Sequence, residues 1–151
     1  MIEIGSTPTL SLVSTEGKSF DLKSNEGDKG VFVYFMRALS CAQCNAAVAK
    51  MAKGHDAFDK AGVRVVIAVP EDLASATAWK AKKALPFDVV VGQSGTAHEE
   101  VGLLRKVFGL LQQSGSILLD RDGVTRYAHV STNPGASYNE AEVAGAIAQL
   151  A

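Results

Sequence analysis

The sequence has only two cysteines, almost no net charge and no long apolar run, and each shortage excludes a class of protein. With two cysteines in 151 residues, the chain lacks the disulfide framework of small secreted domains. The formal net charge of −1 provides no electrostatic attraction to nucleic acid or anionic lipid, so we expect neither as a partner. No stretch reaches the roughly 20 apolar residues that a transmembrane helix needs, and we expect no membrane association.

What is present is the composition of one globular domain. Hydrophobic residues make up 47% of the chain and charged residues 21%, which is ordinary for a globular protein of this length. No repeat, low-complexity segment or linker divides the sequence, which predicts a single domain over residues 1–151. Residues 1–5 lack the basic start and apolar run of a secretion signal, so we expect a cytoplasmic protein.

Short apolar runs predict a β-hairpin followed by two buried strands. Residues 10–13 and 20–22 alternate in polarity around a glycine-containing turn at 16–18, as the strands of a hairpin do. Residues 31–35, after a polar loop, form a continuous β-branched and aromatic run, which is typical of a strand buried on both faces. Residues 64–69 form a second such run.

A single long helix is predicted between these two strands. Apolar or semi-polar residues recur there at steps of three and four, which places them on one helical face: Cys44, Val48, Met51, His55, Phe58 and Gly62. A strand, a helix and a second strand within about 40 residues form a parallel crossover unit, which is nearly always right-handed.

The alternation of helices and strands continues to the end of the chain. Thr96 and Glu99 form a capping box, and an Asp-Gly turn over 120–123 joins the last two strands. Strands that pair in parallel at first and antiparallel at the end, with helices on both faces, predict an α/β chain with three layers. The elements are a helix over 71–84 with Trp79 as a packing residue, a strand over 87–91, a helix from 96 to about 108 with Leu104 and Phe108 inward and Gly109 at its end, strands over 116–119 and 124–130, and a helix over 139–150.

The candidate functional residues are Cys41 and Cys44, which follow the first buried strand and open the first long helix. Sites in open α/β sheets gather at this edge, and the positive end of a helix stabilises a reactive thiolate. Arg37, four residues upstream of Cys41, can add a second positive charge. Two residues separate the cysteines, so their sulfurs come within disulfide reach. We expect Cys41 to be the more exposed, with one cysteine attacking and the other resolving.

Other interpretations of the two cysteines were weighed against redox chemistry. Free cysteines are often inert core residues, but their position and spacing favour chemistry. A zinc site needs four ligands, and His55, His98 and His129 are scattered over different elements, so we expect no metal within one chain; a site shared between subunits stays open. We expect His55 to be a core or boundary residue and His98 to face solvent. Nothing in the sequence indicates a cofactor.

The order and spacing of these segments resemble the peroxiredoxin branch of the thioredoxin superfamily, the alkyl hydroperoxide reductase/thiol-specific antioxidant group. Five segments carry the resemblance: residues 4–10 with Gly5 and Pro8, the strand at 31–35 followed by Cys41 and Cys44, residues 62–69, residues 85–90 and residues 117–123. The resemblance implies a thioredoxin-like three-layer α/β/α sandwich with a mixed central sheet and an N-terminal β-hairpin.

The active-site motif departs from the family pattern Pro-x-x-x-Thr-x-x-Cys. Aligning the attacking cysteine of the family with Cys44 puts Cys41 at the threonine position and Arg37 at the proline position. The arginine that the family carries before a late strand is missing at residues 114–116, as is the cis-proline of thioredoxins. The motif from Phe35 to Cys44 resembles a peroxiredoxin-like subgroup with Cys-x-x-Cys in place of Thr-x-x-Cys.

The resemblance implies a thiol-dependent peroxidase or a related dithiol oxidoreductase. By the family alignment Cys44 attacks a hydroperoxide to give a sulfenic acid, Cys41 condenses with it to a disulfide, and Arg37 stabilises the thiolate. An external dithiol such as a thioredoxin or glutaredoxin then reduces the disulfide, and family analogy also suggests a homodimer. Three alternatives stay open: the reverse order of the cysteines, a thioredoxin-type protein disulfide reductase with Cys41 as nucleophile, and a non-enzymatic redox sensor.

Overall fold

Strand β3 (Gly30–Phe35) lies inside the sheet, and all six of its residues are buried. The computed structural model describes residues 3–103, 105–106, 111–132 and 138–150. Because successive side chains of a strand point to opposite faces, Phe32 belongs to one hydrophobic cluster and Val33 to the other. The continuous apolar run predicted for this strand therefore supplies both cores.

Seven strands form one mixed sheet. Their bounds are β1 Leu12–Ser14, β2 Ser19–Phe20, β3, β4 Val63–Ala68, β5 Asp88–Gly92, β8 Ser114–Asp120 and β9 Thr125–Ser131; β6 (Arg105–Lys106) and β7 (Leu111–Gln112) pair with each other outside it. The spatial order is β2-β1-β5-β4-β3-β8-β9. The β3–β4 and β4–β5 pairs are parallel and the other pairs are antiparallel. The predicted N-terminal hairpin, parallel crossover and late hairpin are confirmed.

Helices cover the two faces of the sheet unequally. The helices are α1 Ala42–Lys53, α2 His55–Lys60, α3 Leu73–Lys83, α4 Ala97–Glu100 and α5 Glu140–Ala148, and a 3-10 turn covers Lys23–Asn25. Buried side chains of α1, α2, α3 and α5 join the cluster that contains Phe32, whereas Ala97 of α4 joins the cluster that contains Val33. The predicted three-layer α/β/α arrangement with a mixed sheet is therefore confirmed. Among the described residues, none of the helices has the length and apolarity to cross a membrane.

The long helix predicted between β3 and β4 is interrupted at Gly54. The Gly54 N–H donates to the carbonyl oxygens of Lys50 (3.2 Å) and Met51 (3.1 Å), ending α1, and α2 begins at the next residue. Glycine is among the poorest helix formers because its backbone loses the most conformational freedom. The apolar face nevertheless continues across the break, since Met51 and Phe58 are both buried.

The helix predicted to run from 96 to about 108 ends at Glu100, so this prediction is wrong in length. Gly102 adopts a left-handed backbone conformation with φ of 76°, which terminates helices and which glycine adopts at little cost. The Leu103 N–H then donates back to the carbonyl oxygen of His98 (2.9 Å), and β6 begins two residues later. Leu104 and Phe108, which were predicted to face inward, and Gly109, which was predicted at the helix end, lie outside the described ranges.

Candidate active site

A tight loop connects β3 to α1 and places Cys41 at the N-cap of the helix. The Met36 N–H donates to the carbonyl oxygen of Ala68 on β4 (2.9 Å), and the chain then turns so that the Cys41 N–H donates to Ala38 (3.1 Å). Cys41 has an extended backbone, with φ of −70° and ψ of 110°, and its Sγ accepts the Cys44 N–H at 3.2 Å. A sulfur thus occupies the place of the usual capping oxygen.

This environment favours ionisation of Cys41. Burial raises the pKa of the Cys41 thiol, but hydrogen bonds from the Cys44 side chain and backbone N–H oppose burial. A hydrogen bond from the Arg37 side chain and the charge of that residue act in the same direction, so the pKa is lowered overall. Because the thiolate is the nucleophilic form of cysteine, a lowered pKa increases the fraction of Cys41 that is able to react.

Cys44 experiences the opposite effects. Burial raises the pKa of the Cys44 thiol, and the hydrogen bond and negative charge of Cys41 raise it further. The Arg37 backbone N–H and the Tyr34 side chain lower it only in part. The prediction that Cys41 is the more exposed cysteine is correct in order, although both are buried, at 2% exposure against 0%.

Arg37 contacts both cysteines through different atoms. Its side chain hydrogen-bonds to Cys41, and its backbone N–H faces the Cys44 sulfur. The residue is half-buried, and its Nε finds no hydrogen-bond partner within the described part of the chain. The three residues that the sequence indicated, Cys41, Cys44 and Arg37, therefore meet at one loop.

Three further side chains hold this loop, and their role was not apparent in the sequence. Asn45 Nδ2 donates to the carbonyl oxygens of Leu39 and Cys41, both at 2.8 Å. Trp79 Nε1 donates to Asn45 Oδ1 at 2.9 Å, and Glu71 Oε2 accepts the Leu39 N–H at 3.0 Å. Trp79 is buried, as its prediction as a packing residue requires. Its hydrogen bond to Asn45 could not be predicted from a local pattern, because Asn45 lies 34 positions away on another helix.

His98 is buried rather than solvent-facing, so that prediction is wrong. Its exposure is 0%, its Nε2 lies 2.7 Å from the carbonyl oxygen of Met36, and its ring meets Phe35 edge-on at 5.3 Å between centroids. Thr96 does cap the helix, with its hydroxyl oxygen accepting the Glu99 N–H. Because α4 packs on the sheet, His98 points inward although it lies between the two capping residues.

Neither cysteine shares a potential metal site with other side chains in the described ranges. There, the single group of three histidine, cysteine or acidic residues with ligand atoms within 4.8 Å of one another is His55, Asp56 and Asp59. This group lies on α2, at the far end of α1 from the cysteines, and both aspartates are exposed. His55 is half-buried with Nδ1 bonded to the Ala52 carbonyl oxygen (2.8 Å), which fits the predicted boundary role.

The positions that lack the arginine of peroxiredoxins and the proline of thioredoxins lie beside the end of β3. Gly115 pairs with Phe35, and Ser116 pairs with Tyr34. Ser114 and Ser116 are buried. Residues 114–116 therefore bring no charge to this edge of the sheet, and Arg37 supplies the cationic side chain that contacts Cys41.

Sequence comparison finds relatives among the peroxiredoxins. The AhpC/TSA family matches residues 5–128. A chloroplastic peroxiredoxin Q from Suaeda salsa is 29% identical over 122 residues, an alignment that covers 81% of this chain and 56% of the relative. The chain therefore spans little more than half the length of this curated relative.

Solved structures of similar fold include two proteins from this group. Peroxidoxin BcpB from Mycobacterium tuberculosis aligns with a TM-score of 0.79 at 15% identity, and peroxiredoxin Q from Xanthomonas campestris aligns with a TM-score of 0.79 at 19% identity. Each alignment covers 98% of this chain and 96% of the other. At these identities the likeness shows the fold, and the thioredoxin-like architecture implied by the sequence is confirmed.

Proposed function

The chain belongs to the AhpC/TSA family, and from this premise we propose that it is a thiol-dependent peroxidase that reduces hydroperoxides through Cys41 and Cys44. The observation that carries the proposal is the N-cap position of Cys41, whose Sγ accepts the Cys44 N–H at 3.2 Å. A thiolate held at a helix N-terminus is a nucleophile with a resolving thiol one helical turn away.

In the first step the Cys41 thiolate attacks one oxygen of the hydroperoxide. A sulfur–oxygen bond forms, the oxygen–oxygen bond breaks, and the alkoxide or hydroxide leaves with the electron pair and takes a proton from solvent. Cys41 is oxidised to a sulfenic acid, and the hydroperoxide is reduced to an alcohol or water. Arg37 stabilises the thiolate before attack, because its side chain contacts the Cys41 sulfur.

In the second step Cys44 resolves the sulfenic acid. The hydrogen bond and charge of the Cys41 thiolate help to raise the pKa of Cys44, and both effects end when Cys41 becomes a neutral sulfenic acid. The Cys44 thiol then loses its proton more readily and attacks the Cys41 sulfur, and the hydroxyl group leaves as water. An external dithiol, such as a thioredoxin-type protein, returns two electrons and two protons to the disulfide.

This order of attack is the reverse of the order that the family alignment implies for Cys44. The electrostatics of the loop support the reversal, because the pKa of the Cys41 thiol is lowered while that of Cys44 is raised. Cys41 is also the more exposed of the two cysteines, at 2% against 0% for Cys44. Both orders use the same two sulfurs and end in the same disulfide.

The experiment that tests the proposal is a single turnover of the fully reduced protein with hydrogen peroxide and with an organic hydroperoxide. Cys41→Ser is expected to abolish fast consumption. Cys44→Ser is expected to react once and to stop at a sulfenic acid that dimedone traps on Cys41. Mass spectrometry of the trapped adduct identifies the cysteine that attacked.

Two outcomes would change the proposal in different ways. A dimedone adduct on Cys44 in the Cys41→Ser variant, with loss of activity in Cys44→Ser, would restore the order of the family alignment and keep the peroxidase. Consumption of peroxide by the wild-type protein no faster than by free cysteine would refute the peroxidase itself, and protein disulfide reduction would then be assayed.

A further inference from the structure

Asn45 is a point of convergence for hydrogen bonds around the active-site loop. Its Nδ2 donates to two carbonyl oxygens of the loop, those of Leu39 and Cys41, each at 2.8 Å. Its backbone N–H donates to the Cys41 carbonyl oxygen as well, at 2.9 Å. The Cys41 carbonyl therefore receives two hydrogen bonds from one residue, which restrains rotation of the Cys41 backbone.

Trp79 determines which way the Asn45 amide points. An indole N–H can only donate a hydrogen bond, and Trp79 Nε1 lies 2.9 Å from Asn45 Oδ1. The amide oxygen must therefore face Trp79, which directs both amide N–H groups toward the two loop carbonyls. The amide oxygen and both amide N–H groups of Asn45 therefore each make a hydrogen bond. Trp79 is 7% exposed.

Two more hydrogen bonds restrain the loop, one from outside it and one within it. Glu71, which precedes α3, accepts the Leu39 N–H at 3.0 Å. The Cys41 N–H donates to Ala38 at 3.1 Å. The backbone on both sides of exposed Ser40 is thus held by hydrogen bonds, although the loop itself contains no regular secondary structure.

We propose that Asn45, oriented by Trp79, is a positioning residue that keeps the Cys41 sulfur in line with the Cys44 backbone N–H and so sets the reactivity of Cys41. The inference rests on the proposed function only in taking Cys41 as the attacking cysteine; the hydrogen bonds of Asn45 are independent of that function. The Sγ–N contact of 3.2 Å depends on the backbone conformation of Cys41, and Asn45 restrains that backbone at its carbonyl oxygen. Trp79 thereby links α3 to the chemistry on α1.

The consequence is a testable change in the ionisation of Cys41. If Asn45 no longer holds the loop, the Cys41 sulfur samples positions outside reach of the Cys44 N–H. The lost hydrogen bond stabilises the thiolate more than the neutral thiol, so its loss raises the pKa of Cys41. The fraction of thiolate at neutral pH then falls. At high pH every Cys41 is ionised in any variant, so the rate there should not be reduced; a thiolate of higher pKa is the stronger nucleophile.

The experiment measures the rate of alkylation of Cys41 by iodoacetamide as a function of pH, in a Cys44→Ser background. This readout needs no peroxide, so it is independent of whether the protein is a peroxidase. The variants are Asn45→Ala, Trp79→Phe and the two combined. The matched control is Asn25→Ala. Asn25 is also half-buried and donates a side-chain hydrogen bond to a carbonyl oxygen, that of Asp21 (2.8 Å). It lies before the start of β3, whereas the site follows the end of β3.

We expect Asn45→Ala to slow alkylation at pH 7 by about threefold to tenfold, as weakening, rather than complete loss, of one hydrogen bond to a charged sulfur would, and to react at least as fast as the control at high pH. Trp79→Phe should shift the curve in the same direction by less, and adding it to Asn45→Ala should have no further effect, because both act through one amide. Thermal unfolding of each variant verifies that it is folded at the assay temperature, and Trp79→Phe provides the test if Asn45→Ala is not.

Three results would overturn the inference. An Asn45→Ala curve that superimposes on the Asn25→Ala curve would show that the amide does not affect Cys41. A loss of equal size at every pH, including the plateau, would indicate general distortion of the site. Additive effects in the double variant would show that Trp79 does not act through Asn45.

Discussion

Replacing Arg37 with glutamine removes the positive charge that contacts the Cys41 sulfur and keeps a neutral hydrogen-bond donor of smaller reach. The Arg37 side chain donates a hydrogen bond to Cys41 and acts on it through its charge, and both effects lower the pKa of the thiol against the opposing effect of burial. We therefore expect Arg37→Gln to raise this pKa and to slow peroxide consumption at neutral pH.

The size of the effect follows from the burial of the two groups. A hydrogen bond from a charged donor contributes about 1.5–3 kcal/mol, and Cys41 is buried, so the contact is not fully hydrated. Arg37 is only half-buried, which lets solvent and salt screen part of its charge. A net loss of about 1 kcal/mol is the result, or about a fivefold slower reaction at pH 7.

The assay is the second-order rate constant for single-turnover peroxide reduction, measured from pH 5 to pH 10 at low and high ionic strength. Because the folded protein favours the thiolate of Cys41, its reaction should be fast above the lowered pKa and should slow as pH falls through it. In Arg37→Gln the whole profile should move to higher pH, with a plateau at least as high as that of the wild type, because a thiolate of higher pKa is the stronger nucleophile. The wild-type rate at pH 7 should fall as salt is added, and the rate of the variant should change less.

Arg64→Gln is the matched control for the loss of an arginine. Arg64 forms an ion pair with Asp88 (2.6 Å) near the start of β4, at the end of the strand opposite the active-site loop. Its replacement should leave the pH profile unmoved. The reasoning is refuted if Arg37→Gln and Arg64→Gln give the same profile, because Arg37 would then have no electrostatic influence on Cys41.

Three further predictions concern stability and are measured by urea denaturation. Asp120→Ala should cost about 1–2 kcal/mol: burial raises the pKa of this carboxyl, but hydrogen bonds from Arg126 and from backbone N–H groups lower it overall. The stabilisation by the Asp120 carboxylate should be complete above the usual pKa of 3.8 and vanish as pH falls through the lowered pKa. A difference in unfolding free energy that is independent of pH would contradict this prediction. Gly115→Ala should cost about 1–3 kcal/mol, since its Cβ would lie 2.2 Å from the His129 carbonyl oxygen; unchanged stability would show that β9 can move away. Met51→Ala, at 1% exposure, should cost about 2–5 kcal/mol, and a smaller loss would mean that the core collapses around the gap.

Much of the fold could be predicted from local patterns because burial imposes a period on the sequence. The β-branched run over 31–35 is buried on both faces as β3, and the Asp-Gly turn over 120–123 joins β8 to β9. Steps of three and four correctly located the buried face of α1 and α2. Gly54 and Gly102 were not recognised as helix ends. The apolar steps of three and four continue past Gly54, and the prediction placed the end of the later helix at Gly109 instead of Gly102.

The sequence indicated the three candidate residues that the structure brings together, but not the side chains that hydrogen-bond to the loop around them. Cys41, Cys44 and Arg37 are within eight positions of one another, so the strand-to-helix junction was enough to bring them together. The order of attack by the two sulfurs was a different matter, because it depends on which sulfur accepts the Cys44 N–H and which is enclosed by the core. Only the folded chain determines those contacts.

Local patterns were sufficient to predict the order of the helices and strands and the cysteine pair at the start of α1, since each depends on residues that are close along the chain. Contacts between distant segments bury His98 against the Met36 carbonyl oxygen and bring Trp79 and Glu71 to the loop through Asn45 and Leu39. These contacts join segments between 32 and 62 positions apart. Their partners are selected by the packing of the helices on the sheet, and packing at such separations has no periodic trace in the sequence.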